Sequence, residues 1–136
     1  MRRLLLAIGA VSLLACGSDS SGPGTASAEG TWNLITIDGS PVPFTAPPDP
    51  DFPGVQYQIM SDIFVAHSGG AFTSDFTYRV TVNGVATTTT ESNTGTWAQS
   101  GAIVTIATSM VPVSVSISGD RINRSNGGVV FIYARE

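Results

Sequence analysis

With 136 residues, 42% apolar and 12% charged, the chain has material for one compact domain and too little for two ordinary ones. It has no lysine, and past residue 15 only Arg79, Arg121, Arg124 and Arg135 stand against ten acidic residues, a formal −6. Nucleic-acid binding needs a basic footprint to displace counterions from phosphates, and this composition excludes one.

Arg2 and Arg3, an apolar run from Leu4 to Leu14, and a small Ala15 ahead of Cys16 follow the order of an export signal. The run is about half of the roughly 20 apolar residues a spanning helix needs, so residues 1–15 read as a targeting segment. Leu13, Leu14, Ala15 and Cys16 resemble the lipobox of bacterial lipoproteins. That resemblance implies cleavage before Cys16, diacylation of its sulfur, usual acylation of the new amino terminus, and Cys16 as a lipid anchor to the membrane. Each buried acyl methylene is worth about 0.8 kcal/mol, so two or three chains anchor durably. Gly17 stands where the inner-membrane retention signal of Gram-negative lipoproteins places Asp, so the resemblance implies the outer membrane in such a host. The alternative is an ordinary secretory signal ending near a cysteine. Cys16 is the only cysteine, so the domain folds without a disulfide.

Residues 16–29 then read as the lipidated cysteine and a flexible tether, because GSDSSGPGTASAE cannot bury enough apolar surface to offset its ordering entropy. From Gly30 the texture changes to alternating apolar and polar residues punctuated by glycine turns. The alternation predicts strands at about 30–38, 55–67, 71–82, 85–99, 102–108, 111–118, 120–125 and 128–135. Asn83-Gly84 is the strongest turn signal, because a type I′ turn needs positive φ twice. In the third strand Phe72, Phe76, Tyr78, Val80 and Val82 share the core face, and Thr73, Asp75, Thr77, Arg79 and Thr81 the wet one. In the fourth, Ser92-Asn93-Thr94-Gly95 suggests a bulge or a division into two strands. The fold class that follows is all-β: eight strands joined by tight turns hide their edges by closing into an antiparallel up-and-down barrel over residues 30–136. A two-sheet sandwich is the alternative, since periodicity does not report closure.

Gly30-Thr31-Trp32, opening the first strand, is similar to the Gly-x-Trp of lipocalins and of shorter bacterial lipocalin-like domains. In that family an arginine near the end of the barrel packs over the tryptophan and plugs the closed base. The resemblance therefore implies a barrel-base pair of Trp32 and Arg135, a cation-π contact. A second Gly95-Thr96-Trp97 reads as a local strand device, and the helix that follows the barrel in full-length lipocalins has no counterpart.

No catalytic residue is assigned. Nucleophilic catalysis needs a base beside the nucleophile, and the single histidine, His67, sits at a strand end before Ser68-Gly69-Gly70 with no Gly-x-Ser-x-Gly elbow elsewhere. No histidine or cysteine cluster has metal-ligand spacing, and Asp49-Pro50-Asp51 is the only close acidic pair, too few oxygens for calcium. Neither a metal nor another cofactor is expected. Residues 39–54, GSPVPFTAPPDPDFPG, carry six of the eight prolines and suggest a stiff lid over the barrel mouth, or else a mobile spacer. Two functional classes follow. A binding module would hold a small hydrophobic molecule among Tyr57, Ile59, Phe72, Phe76, Tyr78 and Trp97. A structural or protein-interaction lipoprotein would have the same barrel filled solid and act through its surface, with a partner the sequence does not identify.

Overall fold

The computed structural model describes residues 26–108 and 112–136. The expected signal over residues 1–15, Cys16, residues 17–25 of the expected tether and Val111 lie outside the described residues. Each alternating segment from Gly30 onward forms a strand, and two very short ones are added. In chain order they are β1 (Gly30–Ile37), β2 (Ser40–Pro41), β3 (Phe44–Thr45), β4 (Val55–Ala66), β5 (Ala71–Val82), β6 (Val85–Ser100), β7 (Ile103–Ala107), β8 (Val113–Ser118), β9 (Arg121–Asn126) and β10 (Val129–Arg135).

Successive long strands pair antiparallel from β4 round to β10, and β10 pairs with β1. The ring closes where Gly30 meets Ala66 and Asn33 meets Ile63, joining β1 to β4. The result is a closed eight-stranded antiparallel barrel with two extra short strands. Closure leaves no long free edge around the base, which an open sandwich would have had to cover.

The barrel wall is uneven. β4, β5 and β6 run 12, 12 and 16 residues, whereas β7, β8 and β9 run 5, 6 and 6. β6 keeps unbroken register with β5 from Thr96 to Val85, so the bulge or division expected at Ser92–Gly95 is absent. What changes there is the other neighbour, since β7 accompanies β6 only from Thr96 to Ser100. The β5–β6 hairpin therefore stands above the low wall, turning through Asn83 and Gly84 at φ 50° and 83°. Its tip is wet, with Val82 45% and Val85 71% exposed, so the core face predicted for the third strand ends before Val82. The irregularities lie instead between Leu34 and Thr36 in β1 and between Ile59 and Ser61 in β4. Bulges of this kind bend strands, and above them β1 and β4 part.

The proline-rich connection occupies the opening between those two strands. β2 pairs with Thr36 and Ile37 of β1, while β3 pairs with Gln58 and Ile59 of β4. Val42 and Phe44 pack against the core between them. The segment predicted as a lid or a spacer is thus a lateral filler that closes the seam between the first two barrel strands.

Trp32, Ile37 and Val104 are the largest fully buried side chains, Trp32 at the base and Ile37 at the other end of β1. Trp32 donates from Nε1 to the Ala28 carbonyl at 2.7 Å, and Gln99 exchanges two bonds with the incoming chain, Ala28 N to Oε1 and Nε2 to the Ala26 carbonyl, each 2.7 Å. The packed residues therefore include Ala26 and Ala28, which lie before the boundary expected at Gly30: a small apolar Ala28, wholly buried, plugs the base where composition alone suggested tether.

Candidate ligand site inside the barrel

Arg135 completes that plug. Its guanidinium lies 4.2 Å from the Trp32 ring centre, the contact implied by the Gly-x-Trp resemblance. It donates from Nη1 to the Glu29 carbonyl at 2.5 Å and from Nη2 to the Ser27 carbonyl, and Nε lies 3.6 Å from Asp120. Gly30 suits this approach, because its φ of 132° is one that L side chains rarely adopt and a Cβ there would come 2.7 Å from Arg135 Nη1. The second Gly-x-Trp has another cause. A Cβ on Gly95 would collide with the Ala107 carbonyl oxygen and fall 2.6 Å from Phe72, so the glycine lets β6 pass the end of β7. Trp97 follows it, half-buried, donating from Nε1 to the His67 carbonyl at 3.0 Å.

Above the plug the barrel is hollow. A cavity of about 640 Å³ lies inside it, within the roughly 300–1,000 Å³ of small-molecule sites. Its apolar lining is Phe64, Phe72, Ile106, Val113, Val115 and Ile122. Ser92, Asn93 and Thr94 of the tall wall and Thr108 and Val113 of the low wall also line it, so it reaches the gap where β6 rises unaccompanied by β7.

Ser74 adds a further hydroxyl to the lining, and three larger polar side chains, Asp62, Arg124 and Tyr133, stand beside the apolar ones. Strand alternation puts Asp62 on the face of Phe64, Arg124 on that of Ile122, and Tyr133 between Phe131 and Arg135. The Tyr133 hydroxyl donates to Asp62 Oδ2 at 2.7 Å, reaching past β1, which separates β4 from β10. Asp62 is nine-tenths buried, and burial raises its carboxyl above the ordinary range; the Tyr133 bond and the positive charge of Arg124 pull it partly back, and Asp75 adds to the rise. Burial also pushes the Tyr133 phenol well up, with the Asp62 charge and hydrogen bond acting in the same direction and Arg124, by its charge and a hydrogen bond, pulling it partly back. Arg124 lies over Phe131 at 5.5 Å and makes no ion pair with Asp62. Two buried polar atoms are left without a hydrogen-bond partner among the described residues, Asp62 Oδ1 and Arg124 Nε. Unpartnered buried groups of this kind are rare and costly, and they mark places where something else can bond.

Of the six residues expected from the sequence to line a ligand site, only Phe72 does so. Tyr57, Phe76 and Tyr78 satisfy one another on the tall wall, with ring centres 5.2 Å apart for Tyr57–Tyr78 and 5.7 Å for Phe76–Tyr78, and the Tyr78 hydroxyl donates to Glu91 at 2.9 Å. Ile59 is buried beneath the seam filler, opposite Phe44, and Trp97 sits below the cavity at the base. The residues missed were Asp62, Arg124 and Tyr133. Their two-residue spacing from Phe64, Ile122 and Phe131 was the available signal, since it fixes the face whatever the polarity. His67 is an exposed residue whose Nε2 lies 3.4 Å from the Thr73 hydroxyl, and Asp49 accepts the amide of Asp51 within its own loop. Among the described residues no three histidine, cysteine, aspartate or glutamate side chains converge as a metal site would require.

Set against family models, curated proteins and solved structures, the chain finds no match.

Proposed function

We propose that this is a lipid-anchored protein of the bacterial cell envelope whose lipocalin-like barrel binds a small hydrophobic molecule, with no catalysis. The observation that carries the binding reading is the cavity of about 640 Å³ inside a closed barrel, half of whose lining residues are aliphatic or aromatic. The base plug of Trp32 and Arg135 supports the lipocalin comparison, since it seals one end and leaves the hollow open elsewhere. The anchor reading rests on Leu13-Leu14-Ala15-Cys16 behind a short apolar run, and Gly17, by the same resemblance, favours the outer membrane in a Gram-negative host.

The test uses the chain from Gly17 onward, which contains every strand and the plug, titrated with fluorescent fatty acids and other apolar probes while Trp emission is followed. Trp97 pairs with Ile106, a cavity residue, so occupation should change its environment. Saturable binding supports the reading. No saturable response from any probe leaves a surface-acting protein, which one observation favours: β6 from Val85 to Gly95 has no strand on its outer side among the described residues.

A further inference from the structure

Resting on the cavity-binding reading, we propose that the occupant carries an uncharged head with both a hydrogen-bond donor and an acceptor, set on an apolar tail, with Asp62 Oδ1 and Arg124 Nε as its two partners. A primary amide and an alcohol are the simplest heads of this class. The argument begins with the two orphan atoms. Oδ1 of Asp62 is an acceptor whose carboxylate partner oxygen is already bonded by Tyr133, and Nε of Arg124 is a donor that cannot act as anything else. Both belong to residues lining one cavity.

Charge then discriminates among heads. The pair brings one carboxylate and one guanidinium into the cavity without an ion pair between them. A carboxylate ligand would gain Arg124 and meet the repulsion of Asp62. An ammonium ligand would gain Asp62 and meet the repulsion of Arg124. Either ion would also surrender part of its hydration on entering the cavity. A carboxamide gives its N–H to Asp62 and its carbonyl to Arg124, satisfies both orphans, and brings no net charge. Phe64, Val115 and Ile122 then supply the dry surface for the tail.

The experiment compares octanamide, octanoate and octylammonium, which share one tail, by calorimetric titration of the chain from Gly17 onward at neutral pH. Octanamide should bind roughly tenfold more tightly than either ion. Asp62→Asn should reverse the order for the anion, raising octanoate affinity while lowering that of octanamide; circular dichroism checks that the variant keeps its strands. The wild-type ranking alone decides the matter if the variant does not fold. Octanoate or octylammonium binding as tightly as the amide overturns this inference and leaves the cavity reading standing. No saturable binding by any of the three overturns both.

Discussion

Arg135 illustrates how much one terminal side chain can hold. It covers the Trp32 ring, caps two carbonyls of the incoming chain and leans toward Asp120, so it joins both ends of the barrel sequence at one point. Arg135→Ala should lower unfolding free energy by about 0.5–2 kcal/mol, the range of a partly desolvated cation-π contact, in a urea titration followed by Trp emission. An unchanged midpoint would mean the plug is held by Trp32 and Ala28 alone. Asp62 makes the opposite kind of contribution. Burial raises its carboxyl above the ordinary 3.8, so the folded state holds the proton more tightly than the unfolded chain does. Between 3.8 and the raised value the fold binds more protons, and stability falls as pH rises through that window, with the loss complete above it. Asp62→Asn removes this titration. The stability of wild type relative to the variant should therefore improve steadily as pH is lowered through the window, and a difference independent of pH would show that Asp62 titrates as an exposed carboxyl.

The seam filler argues the same point for an element. β1 and β4 are joined only from Gly30 to Asn33, and past their irregularities they need something between them. β2 and β3 supply four ladder residues, and Phe44 supplies the packing. Phe44→Ala should cost about 1–2 kcal/mol, less than the 3–5 of a fully buried Phe because Phe44 is only partly buried, and should raise amide hydrogen exchange in the upper parts of β1 and β4. Exchange unchanged there would mean the seam holds without it. This role was not legible in GSPVPFTAPPDPDFPG, because it depends on how far two other strands diverge. The strands themselves were legible, since each has one wet and one dry face and glycine turns between, as in Val113, Val115 and Ile117 against Ser114, Ser116 and Ser118. The cavity was not. Weighing aromatics most heavily led to Tyr57, Phe76 and Tyr78, which consume one another, while the face rule applied to Asp62 and Arg124 would have led inward.

For the whole molecule, the lipid anchor is tested by Cys16→Ser. The variant should lose metabolic acyl label and leave the membrane fraction, and a protein still labelled and partitioning into detergent at its mature mass would end the lipoprotein assignment. The direction in which the chain enters the fold then matters. Residues 26–29 arrive at the sealed end, bound to Trp32, Gln99 and Arg135, whereas the gap beside β6 opens from the cavity on the low wall above. A protein anchored through Cys16, as proposed, would be attached at its closed floor, with its entrance at the part of the barrel away from the attachment. Its cargo would arrive and depart through water, so loading would follow the free aqueous concentration of the molecule and its solubility there, not its abundance in the lipid beneath.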